Sequence, residues 1–138
     1  MPATKNILFV CAENAGRSQM AEAFFKKFSK CNYDVTSAGT TPSETLNSTV
    51  VMVMKEIGID IIEQKPKLLS NSMVENSVKT VNMGCMDKQN CPALFVRDID
   101  NWNIPDPKNQ SIEDVRKIRD QIKSDVLKLI ASLEGNNL

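Results

Sequence analysis

The chain contains no histidine. That absence removes Ser-His-Asp hydrolases, Cys-His proteases and every zinc site built on imidazole. Acid–base chemistry near neutral pH must then come from carboxylates, thiols, lysine or tyrosine. An excess of one charge is lacking too, since 17 Lys and Arg are matched by 17 Asp and Glu. Zero net charge gives no bulk attraction to nucleic acid or to an anionic membrane. No window reaches the ~18 apolar residues of a membrane span. The opening MPATKNILFV lacks the basic segment and long apolar run of a signal peptide, so a cytoplasmic protein is expected. Aromatic residues are few, with one tryptophan, Trp102, and one tyrosine, Tyr33.

What is present suits a single globular domain spanning 1–138. The 41% hydrophobic and 25% charged content is that of an ordinary globular protein, and 138 residues are enough for one core. No repeat, low-complexity tract or linker interrupts it. Four cysteines remain to be explained: Cys11, Cys31, Cys85 and Cys91. In a reducing cytosol such thiols read as catalytic, redox-active, metal-binding or simply buried, rather than as a disulfide framework.

Apolar periodicity places the elements. Lys5–Val10 (KNILFV) is a short, nearly unbroken apolar run, as in a strand covered on both faces. Ser18–Lys30 reads as a helix, with Met20, Phe24 and Phe28 at four-residue spacing. Tyr33–Ala38 alternates like a strand. The tetrad TPSE, Thr41–Glu44, predicts a helix start, followed by the stripe Leu46, Val50, Val53, Ile57 and a stop at Gly58. Lys79–Gly84 and Ala93–Val96 are weaker strand candidates. Ser111–Glu134 opens with SIED and carries Val115, Ile118, Ile122, Val126, Leu129 and Leu133 on one face. Strands alternating with helices predict a three-layer α/β/α domain on a small, roughly four-stranded parallel sheet. Ligands of such sheets bind beyond the carboxyl ends of the strands.

Cys11 stands at such an end, in VCAENAGRSQMAEAFF. Five residues separate it from Arg17, and Ser18 follows. A strand-to-helix loop gathers backbone N–H groups and the positive end of a helix dipole at one focus. Asn14 and Gly16 suit the left-handed or bridging conformations that such a cradle needs. Arg17 adds a planar fork for two oxygens of a tetrahedral anion. At that focus a thiol is favoured as thiolate, and Ser18 can donate a hydrogen bond to the sulfur. The implied site is a nucleophile at the floor of an oxyanion pocket formed by Ala12, Glu13, Asn14, Ala15, Gly16, Arg17 and Ser18. Cys-x5-Arg alone would also fit a buried cysteine and a surface arginine; the strand, the helix and Ser18 make the pattern specific.

This loop and first helix resemble the phosphate-binding loop of the low-molecular-weight protein tyrosine phosphatase fold. Within that fold, GRSQMAE is most similar to the thioredoxin-coupled arsenate reductases. SAG (37–39), EIGID (56–60), MGC (83–85), CP (91–92) and IPDP (104–107) follow in the family's order, so the resemblance covers nearly the whole chain. It implies that Asp106, in the pair Asp106-Pro107, is the general acid, with Asp98 and Asp100 as rival carboxylates. It also assigns Cys85 as a second thiol and Cys91 as a third. Cys11 would attack arsenate, Cys85 would attack the Cys11 sulfur and expel arsenite, and Cys91 would free Cys11. Thioredoxin or glutaredoxin would then reduce the Cys85–Cys91 disulfide. Taken without the resemblance, the two thiols of GCMDKQNCP also fit buried cysteines or half of a metal site. Cys31 has no part in the scheme and reads as a structural residue at a helix end.

Several features depart from the family. Some relatives have a cysteine where this chain has Gly16. The residues after Asp106-Pro107 are KNQS, without the tyrosines with which phosphatases of this fold hold an aromatic ring. Some relatives bind potassium through residues matching Asn14, Glu22 and Ser37 plus an aspartate; here Lys67 takes the aspartate's place. Its ammonium would repel potassium and could itself balance Glu22, unless it is simply an exposed lysine. The expected protein is therefore a monomeric arsenate reductase with no cofactor or metal. A protein tyrosine phosphatase and a non-catalytic arsenic-sensing or thiol-binding module are the alternatives.

Overall fold

Between Asn6 and Cys11 the chain offers no strongly polar side chain, and strand β1 (Lys5–Cys11) is buried on both faces. The computed structural model of the chain describes residues 5–30, 33–84 and 99–135. Strands β1, β2 (Tyr33–Gly39), β3 (Lys79–Asn82) and β4 (Asp100–Asn101) form one parallel sheet in the order β2-β1-β3-β4. Alternation along β1 divides the core. Ile7, Phe9 and Cys11 enter a large cluster with the helices α1 (Arg17–Phe28), α2 (Ser48–Glu56) and α4 (Ile112–Gly135). Leu8 and Val10 enter a smaller one with Ala38 and with Val74 of helix α3 (Asn71–Glu75). This is the three-layer α/β/α arrangement expected.

Helix α1 buries Met20, Ala21, Phe24 and Phe25, and packs on α4. Helix α4 matches its expected face, with Val115, Ile118, Ile122, Val126 and Leu129 buried. Ser111 Oγ accepts the Asp114 N–H at 3.1 Å and starts that helix.

One expectation needs correction. Helix α2 does not begin at Thr41 but at Ser48, capped by Asn47, whose side chain accepts the Thr49 and Val50 N–H groups. The reason lies in the backbone of residues 41–47: the N–H groups of Thr41, Ser43 and Asn47 are taken by carbonyls of the Cys11 loop. Those donors are therefore engaged before a helix can form around them. The stop at Gly58 is as expected, with its N–H on Lys55 O at 3.0 Å. The fourth strand is Asp100–Asn101; the candidate at Ala93–Val96 lies outside the described residues.

Neighbours of β1 lie on opposite sides, β2 on one and β3 on the other. The crossover direction reverses there, which opens a crevice at the carboxyl end of β1. Cys11 is the last residue of that strand.

Candidate active site

Between Cys11 and the start of α1 at Arg17 the chain makes a tight loop, with Asn14 in the left-handed region at φ 52°. A short polar side chain tolerates that conformation. Gly16 does not adopt it; its φ is −141°, and its missing side chain serves packing instead. A Cβ there would lie 2.8 Å from Pro107 Cγ. Segment 41–47 straps the outside of the loop: Ala12 O accepts from Thr41 N, Glu13 O from Ser43 N and Ala15 O from Asn47 N, at 2.8–3.0 Å. In a trans-planar peptide the N–H opposes the preceding C=O, so the N–H groups of Glu13, Asn14 and Gly16 lie on the other side of those peptides.

Cys11 is 2% exposed, and its Sγ lies 2.9 Å from Ser18 Oγ. Asn14 Nδ2 donates to the same Oγ at 2.7 Å. Ser18 therefore accepts from Asn14, which leaves its one proton for the sulfur. A hydroxyl donating to sulfur favours the thiolate.

The Arg17 guanidinium is buried, and its partners come from the segments that follow β3 and β4. Nη1 donates to Met83 O at 2.9 Å and to Ile104 O at 3.2 Å, while Nη2 stands 3.7 Å from Asp106 Oδ2. Gly84, at φ 148°, lets the guanidinium pass; a Cβ at that position would run into it. Asp106 itself is more than half exposed, so its pair with Arg17 contributes little to stability. Its Oδ1 accepts the Lys108 N–H at 3.0 Å, which fixes the turn around Pro107. Lys108 Nζ reaches across to Glu13 Oε1 at 3.0 Å, and this hydrogen bond raises the affinity of the ammonium for its proton above the usual lysine value. Cys11, Ala15, Arg17, Asn47, Asp106 and Lys108 line one small cleft.

Behind the loop, the Glu22 carboxylate is 5% exposed and shared by three donors. Ser37 Oγ donates at 2.9 Å, Lys26 Nζ stands at 3.1 Å and Lys67 Nζ at 3.6 Å. Lys67 thus lies beside Glu22, as its place in the sequence suggested.

The structure gathers Cys11, Asn14, Arg17, Ser18 and Asp106. Asp100 is not among the residues lining that cleft; its carboxylate pairs with Lys79 at 2.7 Å in the β3–β4 edge. Cys31, Cys85, Cys91 and Asp98 lie outside the described residues. Sequence reasoning missed Gln19 and Gln64, which meet behind Asn14. Its place directly after Arg17 and Ser18 was the only local trace of Gln19.

The chain is similar to known proteins over most of its length. The family described as "Low molecular weight phosphotyrosine protein phosphatase" matches residues 6–137. An arsenate reductase of Staphylococcus aureus (strain Newman) is 35% identical over 121 residues, covering 86% of this chain and 91% of that protein. A glutaredoxin arsenate reductase of Synechocystis is 34% identical over 131 residues, covering 94% and 98%. Among solved structures, an arsenate reductase in its phosphate-binding state superposes with a TM-score of 0.81 at 33% identity, covering 93% of this chain and 98% of that one.

Proposed function

The chain belongs to the low molecular weight phosphotyrosine protein phosphatase family, and we propose that it uses this fold to reduce arsenate to arsenite. The observation that carries the reading is the Cys11 sulfur, 2.9 Å from a Ser18 hydroxyl whose proton is free for it, in one cleft with Arg17 and Asp106. Its likeness to arsenate reductases over most of its length selects the substrate.

Arsenate binds to the backbone N–H groups of residues 12–18 and to the Arg17 guanidinium. The Cys11 thiolate forms a bond to arsenic, and one arsenate oxygen leaves as water with a proton from Asp106. The thiolate of Cys85 then attacks the Cys11 sulfur. The electron pair of the S–As bond passes to arsenic, which departs as arsenite, and a Cys11–Cys85 disulfide forms. Cys91 attacks Cys85, which releases the Cys11 thiolate and leaves a Cys85–Cys91 disulfide. A redoxin dithiol returns both electrons by disulfide exchange. We assign thioredoxin or glutaredoxin to that role, and a cytoplasmic monomer to the enzyme. No helix among the described residues is long and apolar enough to cross a membrane.

Hydrolysis of a phosphate ester is the second reading, favoured by the family and by an acid at the same cleft. Two assays separate the readings. Arsenate-dependent NADPH oxidation is measured with the thioredoxin system and the glutaredoxin system supplied separately, and p-nitrophenyl phosphate hydrolysis without reductant. The reductase oxidises NADPH with at least one system, and Cys11→Ser abolishes that activity while its circular dichroism is retained. Rapid ester hydrolysis with no arsenate-dependent oxidation would replace the proposal by the phosphatase. Activity in neither assay would leave a binding module.

A further inference from the structure

We propose that Gln19 is a positioning residue for Cys11: it sets the direction of a buried hydrogen-bond chain that ends on the sulfur. The chain runs from Gln64 through Gln19, Asn14 and Ser18. Gln64 Nε2 lies 2.6 Å from Gln19 Oε1. Gln19 Nε2 lies 2.9 Å from Asn14 Oδ1, and Asn14 Nδ2 lies 2.7 Å from Ser18 Oγ. Ser18 Oγ then meets Cys11 Sγ at 2.9 Å. Asn14, Gln19 and Ser18 are each fully buried, so water offers none of them a substitute partner.

The direction of the chain follows from groups that cannot reverse. Asn14 Oδ1 sits 2.8 Å from the backbone N–H of Lys67, which can only donate. That atom must therefore be the oxygen, and the amide nitrogen must face Ser18. The Gln19 nitrogen sits 3.0 Å from Asn14 O and 2.9 Å from Lys65 O, carbonyls that can only accept. Its amide orientation is fixed in the same way, and its oxygen is left for Gln64. The donors of the chain thus run from Gln64 toward Cys11, with the two Gln19 protons shared among Asn14 Oδ1, Asn14 O and Lys65 O. Neighbouring hydrogen bonds in such a chain polarise one another, so loss of a distant link weakens the last one. Gln19 also bonds the carbonyl of Asn14, the loop residue in the left-handed conformation, and ties it to Lys65.

Cys11 as nucleophile belongs to the proposed function, so the test reads the thiol directly and uses no arsenate. Alkylation by iodoacetamide is followed at the Cys11 peptide by mass spectrometry as a function of pH. In Gln19→Leu the pH of half-maximal rate is expected to rise, on the order of half a unit or more, from loss of a charge-stabilising link. In the Ser18→Ala background the same substitution should add no further shift, since its route to the sulfur is already cut. Gln64→Leu, at the outer end, is the milder variant and should shift the profile the same way by less; it serves if Gln19→Leu does not fold. An unmoved profile in the folded variants, or an equal shift with Ser18 absent, would overturn the proposal and leave Gln19 a packing residue only. Either result is independent of whether arsenate is the substrate.

Discussion

Arg17 shows how one side chain can organise a site from within. Two backbone carbonyls, Met83 O after β3 and Ile104 O beyond β4, both accept from Nη1 of the buried guanidinium. Those bonds aim the fork and tie the ends of β3 and the 99–107 segment to the loop. Gly84 is the residue that permits this. Gly84→Ala forces a Cβ into the guanidinium and a side chain into φ 148°. Backbone strain of that kind costs about 1–3 kcal/mol. Urea unfolding should show a loss of that size, and titration calorimetry should show weaker binding of inorganic phosphate. Unchanged phosphate affinity would mean that Arg17 is not what holds the anion. Lys67 allows a second test at this scale. With its ammonium 3.6 Å from Glu22, and Lys26 on the other oxygen, the carboxylate already has its counter-charge. Potassium should then raise the melting temperature no more than sodium does at equal ionic strength. A clear potassium-specific rise would show that the ion, not Lys67, balances Glu22.

At the scale of elements, α2 and α4 are joined by a charge cluster. Arg116 forks onto Glu56 at 2.6–3.2 Å, and Arg119 Nη1 bonds both Glu56 Oε1 and the Val53 carbonyl in the last turn of α2. The hydrogen bond from Arg116 holds the Glu56 carboxyl below its ordinary value, although its cluster is open to water. A lowered carboxyl stabilises the fold above its unfolded-state value, and the contribution is lost as pH falls through the folded value. Melting temperature should therefore decline below about pH 5, the upper edge of carboxylate titration. In Glu56→Gln that decline should be shallower; an identical pH profile would remove Glu56 from the account. Elements of this kind were unequally legible in sequence. The faces of α1 and α4 repeat over several turns, and β1 is an uninterrupted apolar run, so local pattern sufficed. The start of α2 misled because Thr41–Glu44 has the composition of a cap, yet its N–H groups serve the loop carbonyls of residues 12–15. Helix α3 has five residues, too few for a period to show. The site divides the same way: Cys11, Arg17 and Ser18 are neighbours in sequence, whereas Gln64, Lys67 and Met83 join them only through the fold.

The molecule as a whole sets Cys11, the proposed nucleophile, 2% exposed at the floor of a small cleft, out of easy reach of a redoxin. The proposed relay answers that by carrying the oxidation from Cys11 to Cys85 and Cys91. Cys91→Ser is expected to stop after one turnover with a Cys11–Cys85 disulfide, and Cys85→Ser to release arsenite poorly even once. Rapid-quench counting of arsenite per enzyme distinguishes both from steady turnover, which would remove these thiols from the mechanism. The most direct measurement is a disulfide map of the wild-type protein after reaction with arsenate in the absence of any redoxin. Free thiols are alkylated and the digested peptides are identified by mass spectrometry. The account predicts Cys85 joined to Cys91, with Cys11 alkylated. Cys85 and Cys91 both alkylated, in a sample that has released arsenite, would contradict it.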